Sequence, residues 1–501
     1  MNETAAQRIT KQITFIPRKN MNGQSKGEQL SYLLYATLDA VGFQRESVSF
    51  RSKACKQCSE HLSSNYAKYG LPLTHLFVGS AGEGTALRDS DADVMAIIPD
   101  SICVDNANAC GYFILLETDY TNTAPGYTKV LLANFEKECP IHVMFEYSQM
   151  YTSSTGRAYI SSAIFRNFGY QGNQALSVSA YLYESNENEN ENTTINGPAA
   201  TKTVGNFLSF DHVLALYFYG SSHLRAWTDR VRYHNWPSKD LIKEISQMEG
   251  YIVPVGNRFS DTQNIEWRIC YTTAELKLVA SLNDVQVKLY ILLKMVAKEI
   301  LKPLCKEISS YIVKNVIFWM AETQPEQQFS PNSLTKLLQK SMAFIKYCLE
   351  NNHFPNYMIP ERNMLGVAVD CQEKQQTIRF LSTCLERVES IIFMIPKLLE
   401  CMNHISNLPN RELYRDWRNE IEKLLITSII HRLEHHDLGM MFRRTYFTDL
   451  QWEYFKDERC LETWINLFNL VVPEWINLIL TGKLEEIIEL FFSRLRALPL
   501  L

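Results

Sequence analysis

The chain has 501 residues, too many for one ordinary hydrophobic core, so two or more lobes are expected. Apolar residues at 46%, charged residues at 21% and only 17 prolines describe a folded globular protein and exclude a disordered or collagen-like chain. A net charge of −5 excludes a general attraction to nucleic acid, so any such contact needs a local basic patch.

Met1 to Met21 has no apolar core of the signal-peptide kind, and the most apolar late stretch, Leu467 to Leu480, is broken by Pro473 and Glu474. The chain therefore reads as cytoplasmic, with no membrane partner and with its 12 cysteines mostly reduced. Residues 1–27 are polar and read as a flexible N-terminal tail. From Ser31 to Lys68 the spacing of Leu33, Leu34, Leu38 and Val41, and later of Leu62 and Tyr66, predicts long helices interrupted near Gly42. The Cys55/Cys58 pair lies in the second of them, and without a second pair it makes a poor zinc site.

The stretch Thr74 to Pro99 carries the chemistry. Leu76, Phe77 and Val78 read as a buried strand, Gly79, Ser80, Gly82 and Gly84 as a tight turn, and the run after Asp91 as a second strand. Alternate side chains of a strand share a face, so Asp91 and Asp93 point one way and Ala92 and Val94 the other. Asp89 alternates with them too, but it follows Arg88 at the end of the turn and is assigned as a solvated turn residue. Paired carboxylates suit a hard cation such as Mg²⁺ or Mn²⁺, while Gly79 and Ser80 suit a triphosphate that would complete its coordination.

Gly-Ser followed about ten residues on by Asp-x-Asp at the head of a strand resembles the nucleotidyltransferase fold. The form GSAGEG then SDADVM is most similar to the Mab (male-abnormal) domain family, which includes the cyclic GMP-AMP synthase-like receptors. The resemblance implies an α+β fold of two lobes. Residues 28–273 would form a mixed-sheet catalytic core with a helical spine and 274–369 a helical lobe, and 370–501 read by periodicity as a helical extension.

Tyr112 to Glu117 and His142 to Tyr147 read as strands, and the polar run Ser185 to Asn196 as an exposed loop. Phe207 to Phe218 is strand-like with one acid, Asp211, in an apolar setting. A buried carboxylate needs a partner, which an ordinary ion pair would supply. The family pattern instead puts its third carboxylate in such a strand, ahead of a Trp-Pro such as Trp236-Pro237, and implies that Asp91, Asp93 and Asp211 hold the metal.

Further family elements follow in order. Trp267-Arg268 resembles an element whose arginine contacts nucleotide, with Cys270 replacing the usual serine. Lys294 matches a lysine that contacts triphosphate, and Ser310 and Tyr311 match residues that hold the nucleotide, the tyrosine by stacking on a base; Ile312 and Asn315 depart from the pattern. Asn356 to Leu365 resembles the element that ends the domain. The cyclic GMP-AMP synthase of vertebrates, which the chain resembles, grips DNA with a zinc loop at this place; Glu275 to Gln286 contains no His or Cys to form it, so the resemblance implies another surface for any nucleic acid, with double-stranded RNA a candidate activating ligand. His431, Glu434 and His435 have a metalloprotease-like spacing without a third ligand and read as a solvated helix face.

The activity implied is the joining of ATP and GTP, or other nucleoside triphosphates, into a cyclic dinucleotide, with the carboxylates holding two ions about 3.5–4 Å apart. A linear template-independent polymerase would use the same acids. A non-catalytic Mab-domain binding protein would not need them.

Overall fold

The computed structural model describes residues 25–68, 73–88, 90–106, 114–135, 142–153, 156–171, 194–196, 198–204, 208–220, 222–365, 370–435 and 456–498. It is an α+β structure in which helices pack against a strongly curved mixed sheet.

Helix α1 (Lys26–Ala40) begins inside the stretch expected to be a tail. Ser25 and Glu28 form a reciprocal capping box there, and Leu30, Leu33, Leu34 and Leu38 give one buried face. The chain turns at Gly42 into α2 (Arg45–Lys68), so the spine is two helices, as the leucine spacing predicts.

Strands β1 (Thr74–Val78) and β2 (Ala92–Val104) are antiparallel, with Val78 opposite Asp93. Between them stands one helical turn, α3 (Gly79–Gly82). The sheet continues through β3 (Ile114–Asp119), β4 (Tyr127–Phe135), β5 (Gln149–Thr152) and β6 (Ala158–Ile160). It is completed by β7 (Thr194–Asn196), β8 (Ala199–Val204), β9 (Leu208–Tyr219), β10 (Gly250–Val253) and β11 (Glu266–Cys270). Starting at β2, hydrogen bonding runs through β3, β4, β11, β10 and β9 and returns to β2, which pairs in parallel with β9.

Two sequence expectations are corrected. His142–Tyr147 is a helix, because Met144 and Phe145 are buried as neighbours and Glu146 and Tyr147 exposed as neighbours, which no alternating strand allows. The polar run expected to be a loop to Asn196 ends in a strand: Thr194 and Ile195 are β-branched and pair with Thr201 and Ala200. Its residues 185–193, like Asp89 and most of the expected tail, lie outside the described residues.

The sheet has two unlike faces. Ala96, Ile98, Leu214 and Leu216 join the main core with the helices, whereas Met95, Ile97 and Ala215 form a small separate cluster with Val78, Tyr251 and Val253. Asp93 and Asp211 belong to the second face by alternation.

The helical lobe holds α4 (Asp284–Val296), α5 (Ser310–Thr323) and α6 (Leu334–Glu350), and α1 is fastened to it by a Ser31–Thr335 hydrogen bond of 2.8 Å. The helix Thr272–Ala280 is joined to α4 by Ser281–Asn283, and Asn283 caps α4. Beyond Asp370 come further helices, among them α7 (Arg411–His435) and Glu458–Val471. No helix among the described residues is long and apolar enough to cross a membrane.

Candidate functional site

Asp93 and Asp211 are direct neighbours across the parallel β2/β9 ladder. Both project from the same face, so two carboxylates meet side by side at the edge of the small apolar cluster. Burial pushes the Asp93 carboxyl up to about 7, and Asp211 adds to that rise, with Glu83 and Asp91 behind it; Lys314 opposes it. The Oδ1 atom of Asp211 is buried and has no hydrogen-bond partner. A carboxylate pair that repels itself and leaves a buried oxygen without a partner fits a hard divalent cation.

Asp91 does not join the ladder. It lies one residue ahead of β2 and is exposed. Among the described residues no group of three or more His, Cys, Asp or Glu side chains is gathered into a metal-ligand set. The structure thus brings Asp93 and Asp211 together and leaves Asp91 at the rim. His431 and Glu434 likewise form no such set; Glu434 pairs with Arg459 at 3.2 Å.

Gly79 opens the turn with φ +57°, and a Cβ there would stand 2.1 Å from Asp93 Oδ2. The glycine therefore gives up its side-chain space to the carboxylate. Gly79→Ala is expected to lower unfolding free energy by about 1–3 kcal/mol from backbone strain and to displace Asp93 as well. Gly156→Ala is its control, since Gly156 has φ +80° with nothing within 4 Å of the added atom. Urea titrations of both variants that gave equal losses would show that Asp93 tolerates the methyl group.

The rest of the turn is locked through Glu83. Its carboxylate accepts hydrogen bonds from Thr85 Oγ1 and the Tyr290 hydroxyl, both at 3.0 Å, and Lys314 Nζ lies 3.1 Å from its other oxygen. Lys314 also meets Glu275 at 2.7 Å, and Tyr311 donates to Glu275 at 3.0 Å. Asn356 donates to the Tyr311 hydroxyl at 2.9 Å. One lysine on α5 thereby joins the turn, the helix Thr272–Ala280 and the end of the lobe in a buried network. Burial opposes the Lys314 charge, but Glu275 and Glu83 outweigh it and hold its pKa well above the usual lysine range.

Lys294, matched to a triphosphate ligand, is buried on α4. Its ammonium donates to the Thr85 carbonyl at 2.6 Å, behind the turn, and burial pushes its pKa down to about 8. Ser80 is half-buried within α3, and Ser310 is exposed in the first turn of α5. Arg268 on β11 faces Tyr127 on β4 and Val253 on β10, which places it by alternation on the Asp93 face. In the strand order it stands three strands from Asp93 on β2 and two from Asp211 on β9. Tyr311 contributes to the electrostatic surroundings of Arg268. Trp267 points the other way, into the core.

Sequence reasoning missed Glu83, Glu275 and Lys314. The signal was partly present: Glu83 is a single charge in a glycine turn and Lys314 stands between Val313 and Val316, whereas Glu275 has a second charge, Lys277, two residues on. Lone charges in apolar helices need partners, and these three are one another's.

Comparison with known families gives a match in the helical lobe. Residues 286–387 match the family model described as the Mab-21 protein HhH/H2TH-like domain. That segment contains Lys294, Ser310, Tyr311 and Lys314, and it continues past Asp370 into the helix Cys371–Glu386. Over this segment, about a fifth of the chain, the protein is similar to the Mab-21 domain, which is nucleotidyltransferase-like.

Proposed function

We propose that the protein is a metal-dependent nucleotidyltransferase that joins nucleoside triphosphates such as ATP and GTP into a cyclic dinucleotide, and that double-stranded RNA switches it on. The observation that carries this reading is the Asp93/Asp211 pair beside the positive-φ glycine of a short helical turn. Asp93 and Asp211 would hold Mg²⁺ or Mn²⁺, with Asp91 at the rim. The ion, when bound, lowers the proton affinity of an attacking hydroxyl and stabilises the leaving pyrophosphate. Gly79 and Ser80 would receive the triphosphate, and the Glu83–Lys314 network keeps their turn in place. Arg268 and Tyr311 would hold a base at the far end, the guanidinium by its fork of donors and the ring by its face.

A second reading is a binding protein that keeps the fold without the chemistry. It is favoured by the exposure of Asp91 and by the absence, among the described residues, of a gathered three-residue ligand set. A linear oligonucleotide synthase is the third. Incubation with all four labelled triphosphates and Mn²⁺, with and without double-stranded RNA, followed by chromatography, separates the three. Cyclic dinucleotide is expected, with Asp211→Asn inactive. Linear products would replace the cyclase by the polymerase reading, and no turnover alongside specific triphosphate binding would establish the binding protein.

A further inference from the structure

The glycine-rich turn is held on its second side by α2. Arg51 Nε donates to the Gly84 carbonyl at 2.7 Å, Ser52 Oγ to the Gly82 carbonyl at 2.7 Å, and Cys55 Sγ to the Ala81 carbonyl at 3.2 Å. Only Arg51 carries a charge. Its other arm reaches into the C-terminal segment: Nη1 meets both carboxylate oxygens of Glu422 on α7, at 3.0 and 3.1 Å. Glu422 is held in turn by Arg418 one helical turn earlier, at 2.8 Å. The joint between α1 and α2 is shaped around that second arginine. Gly42 has φ +95°, and a Cβ there would stand 1.9 Å from Arg418 Nη1. Gly84 is equally confined, since a Cβ would stand 2.2 Å from the Val48 carbonyl of α2.

A planar guanidinium bonded at Nε and at Nη1 has little rotational freedom left. If the carboxylate is taken away, Arg51 is a largely buried cation with only the neutral Gly84 carbonyl and the Phe43 ring, 5.3 Å away, to hold it, beside a second cation, Arg418. We infer that Glu422 is a positioning residue: through Arg51 it fixes the Gly84 carbonyl and the exit of the turn, so the C-terminal extension completes the candidate site. The ordering of the turn follows from the contacts alone. Its consequence for triphosphate binding rests on the function proposed above.

The test uses the full chain carrying Glu422→Gln, with Glu422→Asp as the conservative variant. Hydrogen exchange of peptides covering 79–88 is read together with KM and kcat for the triphosphates. In Glu422→Gln the amides of the turn are expected to exchange at least tenfold faster, with KM raised about tenfold and kcat changed less; Glu422→Asp recovers most of both. Should Glu422→Gln fail to fold, Arg51→Lys gives the same reading, because lysine keeps a charge for Glu422 but cannot also hold Gly84. Arg459→Ala, which breaks ion pairs to Asp457 and Glu434 elsewhere in the extension, is the control. Turn exchange at the wild-type rate in Glu422→Gln, or equally fast exchange in Arg459→Ala, overturns the inference. A wild-type protein that neither binds nor turns over triphosphates overturns the functional reading and leaves the exchange result to decide this one.

Discussion

Asp93→Asn is expected to make the protein more stable and, at the same time, unable to transfer nucleotides. Asp93 carries a carboxyl raised from the ordinary 3.8 to about 7, so above neutrality the folded state holds an ionised group that burial and Asp211 disfavour. At about 1.4 kcal/mol per pH unit the ceiling is about 4 kcal/mol, and about 2 kcal/mol is expected once partial exposure is allowed for. The amide fills the same space without the charge. Added Mn²⁺ should raise the unfolding midpoint of the wild type, whose carboxylate pair it neutralises, and leave the variant unmoved.

The acid side of the stability curve gives a second readout. His75 and His212 lie behind the carboxylates, on the other face of the sheet, and the His75 ring stacks on Tyr66 at 4.2 Å. Burial, then the neighbouring His212, pushes the His75 pKa down from 6.5 to about 3. The unfolded chain therefore takes up this proton first, and stability falls as pH drops below about 6.5, by about 2 kcal/mol at pH 5. Asp93 acts with the opposite sign. The folded state takes up its proton first, so stability rises as pH falls from about 7 toward 3.8. In the wild type the two slopes oppose each other between pH 6.5 and 5; in Asp93→Asn only the histidine slope remains. Urea titrations at pH 7 and 5 compare the two proteins. A variant that is less stable at pH 8, or that stays active, contradicts the assignment of Asp93.

Lys314→Met is expected to cost about 3–5 kcal/mol, the largest loss of any single substitution here, because it leaves Glu83 and Glu275 buried without their shared cation. The methionine fits the volume, so packing is not the cause. The diagnostic is partial recovery: Lys314→Met combined with Glu83→Gln should regain 1 kcal/mol or more (about the worth of one uncompensated buried group), although each change alone destabilises. Additive losses in chemical denaturation would show that the three groups do not act as a unit.

Alternation in the sequence paired Asp91 with Asp93, and only the family resemblance put Asp211, one charge among the apolar neighbours of FLSFDHVLALYF, beside them; the structure sets Asp211 opposite Asp93. The spine was legible from leucine spacing, a local property. The position of Asp91 was not: whether a strand begins at 91 or 92 depends on the partner strand, and Val78, the last residue of β1, stops opposite Asp93. Nor did Lys294 reveal that its ammonium would be committed to the Thr85 carbonyl, since that bond joins residues 209 positions apart. Side-chain alliances of that range have no signature in composition or period. The same holds for Arg51 and Glu422, separated by 371 positions.

The Arg51–Glu422 pair bears on how the protein can be cut. A recombinant fragment trimmed where the family match stops would retain Arg51 and Gly42 but lose both Glu422 and Arg418. It would keep a glycine hollow with nothing to fill it and an interior cation with no counter-ion. The matched stretch is thus shorter than the stretch these contacts tie together, and laboratory truncations should be drawn beyond α7 rather than at the edge of the match.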